Sequence, residues 1–191
     1  MNKAINKILL IALFFEIHFQ PLVRYYSNMN SGVPKTLNKY MPTQAKSAIA
    51  TGDGKFIIEN ITLADPKSDE ILVKMKAAGL CHTDYDSLSW GKPIVMGHEG
   101  AGLIEKVGSA VSEFTKGDQV ILNWATPCMV CFQCEEGNQH ICEKNSPVVA
   151  GGNGHTPGHP HLEGSKWNGK AIERSFNLGT LSEYALVKKS A

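Results

Sequence analysis

The sequence predicts a mainly β domain of the α+β class. Eighteen Gly and nine Pro are spread through 191 residues, many of them between short apolar runs, a spacing that suits strands and turns better than long helices. The runs also alternate. Between residues 71 and 78, Ile71, Val73, Met75 and Ala77 interleave with Leu72, Lys74 and Lys76, the period of a strand with two unlike faces. Hydrophobic residues make up 42% and charged residues 19% of the chain, which excludes a disordered protein, and the length supplies a core without disulfide support. Nineteen Lys and Arg against eighteen Asp and Glu leave a net charge of +1. That balance gives no chain-wide attraction for nucleic acid or an anionic membrane surface, so neither is expected as a partner.

At the amino terminus, Lys3 and Lys7 precede the apolar run Ile8 to Phe15, in the manner of a short signal peptide. Glu16 and His18 interrupt that run before the ~20 residues of a membrane span. The bulky Phe19, Gln20, Pro21 and Leu22 that follow offer no small-x-small cleavage site. Arg24 is the single Arg of this region, a poor basis for a mitochondrial presequence. Residues 1–40 are therefore expected to be an unstructured extension, or upstream translation ahead of a start at Met41, with residues 41–191 forming one cytoplasmic domain. Export or organellar targeting through residues 1–20 is the alternative.

Within the domain, Phe56 to Leu63 and Ile71 to Ala78 are expected strands. Gly79 breaks the second, Thr83 or Asp84 can cap a short helix running towards Leu88, and Gly91 and Pro93 end it. Ala101 to Val107 and Gln119 to Leu122 follow as strands on either side of the Lys116-Gly117-Asp118 turn, and Ser182 to Val187 as another. The stretch Pro147 to Asn177, rich in Gly, Pro and His, is expected to be a long surface loop. Its His155, His159 and His161 are taken as solvated.

Five cysteines are present, and Cys128, Cys131, Cys134 and Cys142 fall together with spacings x2, x2 and x7. Thiolates two residues apart turn inward on one face of a tight loop, and four complete the closed tetrahedral shell of structural zinc. In a secreted chain the same four could form two disulfides. A zinc-ribbon nucleic-acid module would pair two separated C-x2-C knuckles among basic residues, whereas here the neighbours are Glu135, Glu136 and Glu143.

A second constellation opens at Cys81-His82-Thr83-Asp84 and resumes at Gly97-His98-Glu99-Gly100-Ala101-Gly102. Each half is a weak signal alone. Taken in order with Gly117-Asp118-Gln119-Val120 and the four cysteines, they make the chain from about Met41 onward resemble the zinc-containing medium-chain alcohol dehydrogenases, specifically their amino-terminal catalytic domain. The resemblance implies a GroES-like, partly open β-barrel with short helices and a zinc-binding lobe at 128–142.

It also implies roles. Cys81 and His98 match two ligands of a catalytic zinc, with room for a third protein ligand and an exchangeable water or alcohol. Glu99 matches a carboxylate behind that metal, Asp84 a group orienting the ligand histidine, and Thr83 the hydroxyl that accepts the substrate's proton. His82 matches a position facing the cofactor's pyrophosphate. Asp86 stands where many relatives carry the His that ends the proton relay. Gly97, Gly100 and Gly102 allow close backbone approach near the metal. The implied reaction is oxidation of an alcohol to an aldehyde or ketone with hydride passing to NAD or NADP, in a family with precedent for homo-oligomers. The short segment between Cys81 and His98, with Trp90 and Pro93, implies a trimmed lip on the substrate pocket.

No strand-GxGxxG-helix unit occurs in the chain, and the Gly-rich run 151–158 lacks its spacing. The third catalytic-zinc ligand and the Rossmann domain of the resemblance would lie beyond Ala191. The chain by itself is thus expected to be inactive. The alternatives are a stand-alone zinc-binding structural or interaction module and, if exported, a disulfide-containing binding domain.

Overall fold

The computed structural model describes residues 42–125, 127–144 and 164–191. The expectation of an unstructured extension at 1–40 falls outside them, as does that of a surface loop over residues 147–163. Among the described residues, ten strands build two sheets in a nearly closed, barrel-like arrangement. The first sheet contains β1 (Thr43–Ala50), β2 (Phe56–Leu63), β4 (Ile94–Val95), β7 (Ser165–Trp167), β8 (Lys170–Ala171) and β9 (Glu173–Arg174), in the order β8-β7-β2-β1-β4-β9. The second contains β3 (Glu70–Ala78), β5 (Gly100–Val107), β6 (Gln119–Leu122) and β10 (Tyr184–Lys188), in the order β10-β3-β5-β6. A mainly β domain is therefore what the chain forms.

β1 and β2 pair antiparallel along their whole length, from Thr43 opposite Leu63 to Ala50 opposite Phe56. Their turn closes where the Thr51 amide donates to the Lys55 carbonyl at 3.0 Å. β3 lies between β10 and β5. Its first residues do not follow a one-face pattern: Ile71, Leu72 and Val73 are all buried. Leu72 joins a cluster with Ile49, Ile61, Leu63, Val95 and Leu186, whereas Ile71 and Val73 join Ile104, Ala185 and Val187 on the opposite face. β3 is thus a shared wall between two cores, and burying a side chain such as Leu72 contributes about 2 kcal/mol. The two sheets meet at an isolated bridge between Ser47 and Ser182, where the buried hydroxyls stand 2.7 Å apart.

A third cluster, Ala48, Ala50, Leu88, Ile94, Met96 and Leu181, lies by helix α1 (His82–Ser87). The helix is capped by Cys81, not by Thr83 or Asp84. Asp84 instead sits in the first turn and accepts the Cys81 amide at 3.0 Å, because a carboxylate three residues along reaches back to an amide left without an intrahelical partner.

The expected long loop also needs correction in its described part. Residues 165–174 form β7, β8 and β9, followed by a 3-10 turn, Ser175–Asn177. β7 and β8 are joined by Asn168-Gly169, both at positive φ, the turn chemistry of a two-residue hairpin. Among the described residues no helix is long and apolar enough to cross a membrane.

Candidate functional site

Cys81 follows β3 and opens α1, while His98 and Glu99 lie between β4 and β5. The fold brings these two segments together. Their ligand atoms, the Cys81 thiol, a His98 ring nitrogen and a Glu99 carboxylate oxygen, lie within 4.8 Å of one another. His98 is buried and Glu99 is exposed, so the cluster opens on the Glu99 side. Asp84 is the joint: its buried carboxylate accepts the amides of Cys81 and Gly97, each at 3.0 Å, and its Oδ1 lies 3.5 Å from His98 Nδ1. His98 Nε2 lies 4.0 Å from Glu99 Oε1.

The electrostatics follow from this geometry. Asp84 raises the pKa of His98 against the opposing effect of burial, and Cys81 adds to the rise. The Thr83 amide and hydroxyl, with His98 adding to them, hold the Cys81 thiol below the ordinary thiol range. The Thr83 oxygen lies 3.7 Å from Cys81 Sγ. A thiol drawn towards thiolate, a buried imidazole and a carboxylate form a mixed S, N, O donor set that suits zinc. His82 and Asp86 project instead from the exposed face of α1, with His82 Nε2 3.5 Å from Asp86 Oδ1.

Two aromatic residues complete the surroundings and were not expected from the sequence. The Phe176 ring centroid lies 4.7 Å from that of His98, the Trp124 ring meets His98 edge-on at 6.3 Å, and the two aromatic rings lie 5.0 Å apart. Phe176 arrives from the turn after β9 and Trp124 from the segment after β6. Neither belongs to a local motif, so no sequence signal near His98 points to them. Gly97 behaves as expected: a Cβ there would clash with the Leu181 backbone nitrogen and the Thr180 hydroxyl.

The four remaining cysteines gather in a lobe built around α2 (Phe132–Glu135) and the 3-10 turn Gln139–Ile141. Their Sγ atoms all lie within 4.8 Å of one another, with Cys131 and Cys142 at 4.0 Å. A tetrahedron of thiolates with metal bonds of ~2.3 Å has edges of about 3.8 Å, so the cage has the size of a zinc centre. The Cys128 amide donates to Cys142 Sγ at 3.3 Å, a contact that stabilises a thiolate. Burial, reinforced by Cys131 and the other thiols, pushes Cys134 up to about 11. At Cys131 burial acts in the same direction but is outweighed by the Cys134 and Glu143 amides, and its pKa falls. Mutual repulsion among crowded thiolates is what a central cation relieves.

Comparison with known proteins agrees with the fold and the motifs. The profile of the alcohol dehydrogenase GroES-like domain matches residues 67–191. The NDMA-dependent alcohol dehydrogenase of Amycolatopsis methanolica is 34% identical over 151 residues, covering 76% of this chain and 41% of that protein. Alcohol dehydrogenase B of Mycobacterium tuberculosis is 32% identical over 139 residues, covering 70% of this chain and 36% of its own length. Among solved structures, an alcohol dehydrogenase zinc-binding domain protein from Burkholderia ambifaria superposes with a TM-score of 0.65 at 29% identity, over 78% of this chain and 40% of that one. The chain thus belongs to the medium-chain alcohol dehydrogenase family through its GroES-like domain. It spans about 36–41% of the length of the two enzymes named.

Proposed function

We propose that residues 41–191 are the catalytic domain of a zinc-dependent alcohol dehydrogenase, which oxidises a small-molecule alcohol to an aldehyde or ketone while NAD or NADP is held by a separate Rossmann domain. The observation that carries this reading is the convergence of Cys81, His98 and Glu99 within 4.8 Å from two separate segments, beside a hydroxyl at Thr83.

Cys81 and His98 would hold the catalytic zinc, and Cys128, Cys131, Cys134 and Cys142 a structural one. Zinc at the first site would supply Lewis acidity, making the alcohol's hydroxyl a stronger acid. A nicotinamide supplies the hydride acceptor. The chain's own residues do the rest. Thr83 Oγ1 accepts the alcohol's proton and passes its own outward towards Asp86, which stands exposed on the same helix, while the exposed His82 faces the cofactor's pyrophosphate. Asp84 keeps the Cys81 and Gly97 backbones in register and orients His98. Trp124 and Phe176 exclude water from the His98 side of the pocket.

The test is in two parts. The 191-residue chain is expected to reduce neither NAD nor NADP with primary or aromatic alcohols, since it carries no dinucleotide fingerprint. Joined to a nicotinamide-binding domain, it should turn over, lose about 100-fold or more on Cys81→Ala or His98→Ala, and slow on Thr83→Val with its zinc retained. Turnover by the chain alone that disappears in Cys81→Ala would overturn the division of labour. A second reading, a stand-alone zinc-binding interaction module, is favoured only by the exposed Met129, Val130 and Phe132 of the lobe. It predicts metal binding with no activity in the joined protein.

A further inference from the structure

We propose that Phe176 is a positioning residue for His98, held in a strained backbone conformation so that its ring fixes the plane of the imidazole. The inference rests on the reading of Cys81 and His98 as ligands given above.

The first observation is the backbone. Phe176 has φ 50° and ψ 31°, and Asn177 follows with φ 61°. Asn tolerates the left-handed region, but an aromatic residue there is uncommon and persists only where the surroundings over-determine it. They do so here. Leu178 and Gly179 both donate to the Ser175 carbonyl, at 2.9 and 3.2 Å, and Leu178 is buried. The side chain of Arg174 anchors the incoming strand: it is buried, donates to Ser165 Oγ at 2.7 Å and lines the space beside Gly179. Beyond the turn, the Thr180 and Leu181 amides donate to the Gly97 and Met96 carbonyls, each at 3.0 Å, and Thr180 Oγ1 donates to the Glu99 carbonyl at 2.9 Å. The turn is thereby stitched to the segment that carries His98 and Glu99.

The second observation is what His98 lacks. Its Nδ1 stands 3.5 Å from Asp84 Oδ1, an oxygen that also accepts the Gly97 amide, and the contact does not meet hydrogen-bond geometry. The terminal torsion of a histidine is broad, so the long contact sets which nitrogen faces Asp84 but holds the plane of the ring less firmly than a hydrogen bond would. The Phe176 ring, inclined at 45° with its centroid at 4.7 Å, and the Trp124 ring, perpendicular at 6.3 Å, remove that freedom. With the ring fixed, Nδ1 stays towards Asp84 and Nε2 towards Glu99, and the ring keeps its place beside Cys81.

Because Asn accepts the left-handed conformation, Phe176→Asn deletes the ring without asking the backbone to move. The experiment titrates the full 191-residue chain and this variant with Co²⁺, following the visible absorption of the Cys81–His98 site separately from that of the four-cysteine lobe by use of Cys81→Ser and Cys131→Ala backgrounds. Phe176→Asn is expected to weaken cobalt binding at the Cys81–His98 site by about tenfold, the lower end for residues that orient a metal ligand, with the lobe's binding and the Tm unchanged. Phe176→Tyr should restore it. Wild-type cobalt affinity in Phe176→Asn, or a parallel loss at both sites with a lowered Tm, overturns the inference. Uptake of cobalt at the lobe alone by the unsubstituted chain would show that Cys81, His98 and Glu99 do not hold the metal without a further ligand. The positioning role is then decided without metal, from the NMR side-chain order of His98: broadening in Phe176→Asn supports it and no change overturns it.

Discussion

Gly97 adopts φ +95°, and a side chain there would meet the backbone of Leu181 as well as the Thr180 hydroxyl. Both the conformation and the space demand glycine. Gly97→Ala is therefore expected to lower the unfolding free energy by about 3 kcal/mol, measured by urea denaturation; an unchanged midpoint would mean that residues 180–181 yield easily. A surface pair supplies the acid response. Lys189 holds the Glu113 carboxyl down at about 2, from an ordinary 4.5, with the Glu113 and Ser112 amides contributing. A depressed carboxyl adds stability that is complete above its unfolded pKa and is lost as the pH falls through the folded one. The contribution should thus decay between pH 4.5 and about 2, and Lys189→Met should flatten that part of the Tm against pH curve. A slope identical to that of the unsubstituted chain would show the pair to be silent, as solvent-screened pairs often are.

At the scale of elements, the lobe at 128–142 has an unusual interior. Its buried cluster consists of Cys131, Cys134 and Cys142, with Cys128 packed against them, while Met129, Val130 and Phe132 face outward. With little apolar burial to hold it, its order is expected to depend on the metal proposed for its thiols. Chelation is expected to release about one zinc from the lobe and to accelerate amide hydrogen exchange across 128–142, leaving β3, β5 and β10 protected; Cys131→Ala should do the same. Uniform loss of protection would show that the lobe is integral to the β core. The sequence made some elements plain and hid others for definable reasons. β2, β5 and β6 stand within a residue of expectation because apolar runs and a Lys-Gly-Asp turn mark them. β1 (Thr43–Ala50) was not expected: its sequence, TQAKSAIA, is rich in small residues, and its burial comes from lying between β2 and β4. β4 and β7 to β9 are two or three residues long, too short for periodicity, although Asn168-Gly169 was a usable hairpin signal. The metal-ligating candidates were legible because each sits in a dense local motif. Trp124 and Phe176 were not, because their relation to His98 exists only after distant segments meet.

For the molecule as a whole, β1 begins at Thr43, so a chain beginning at Met41 retains every described strand. It is expected to melt within about 2 °C of the full chain, since every residue of the described cores lies at Ala45 or beyond. A loss of several degrees by calorimetry would mean that residues 1–40 contribute to the domain. The stitching of residues 96–99 to 180–181 has a consequence for the order of events during synthesis. The four lobe cysteines are near neighbours in the chain and can capture a cation as soon as Cys142 has emerged. The Cys81–His98 pocket instead takes its final shape only after Thr180 and Leu181 close upon it, a contact of long sequence separation and therefore slow to form. A nascent chain stalled before Thr180 should thus hold metal in its lobe alone, and cysteine alkylation of such stalled chains would reveal Cys81 still open to reagent while the other four are shielded.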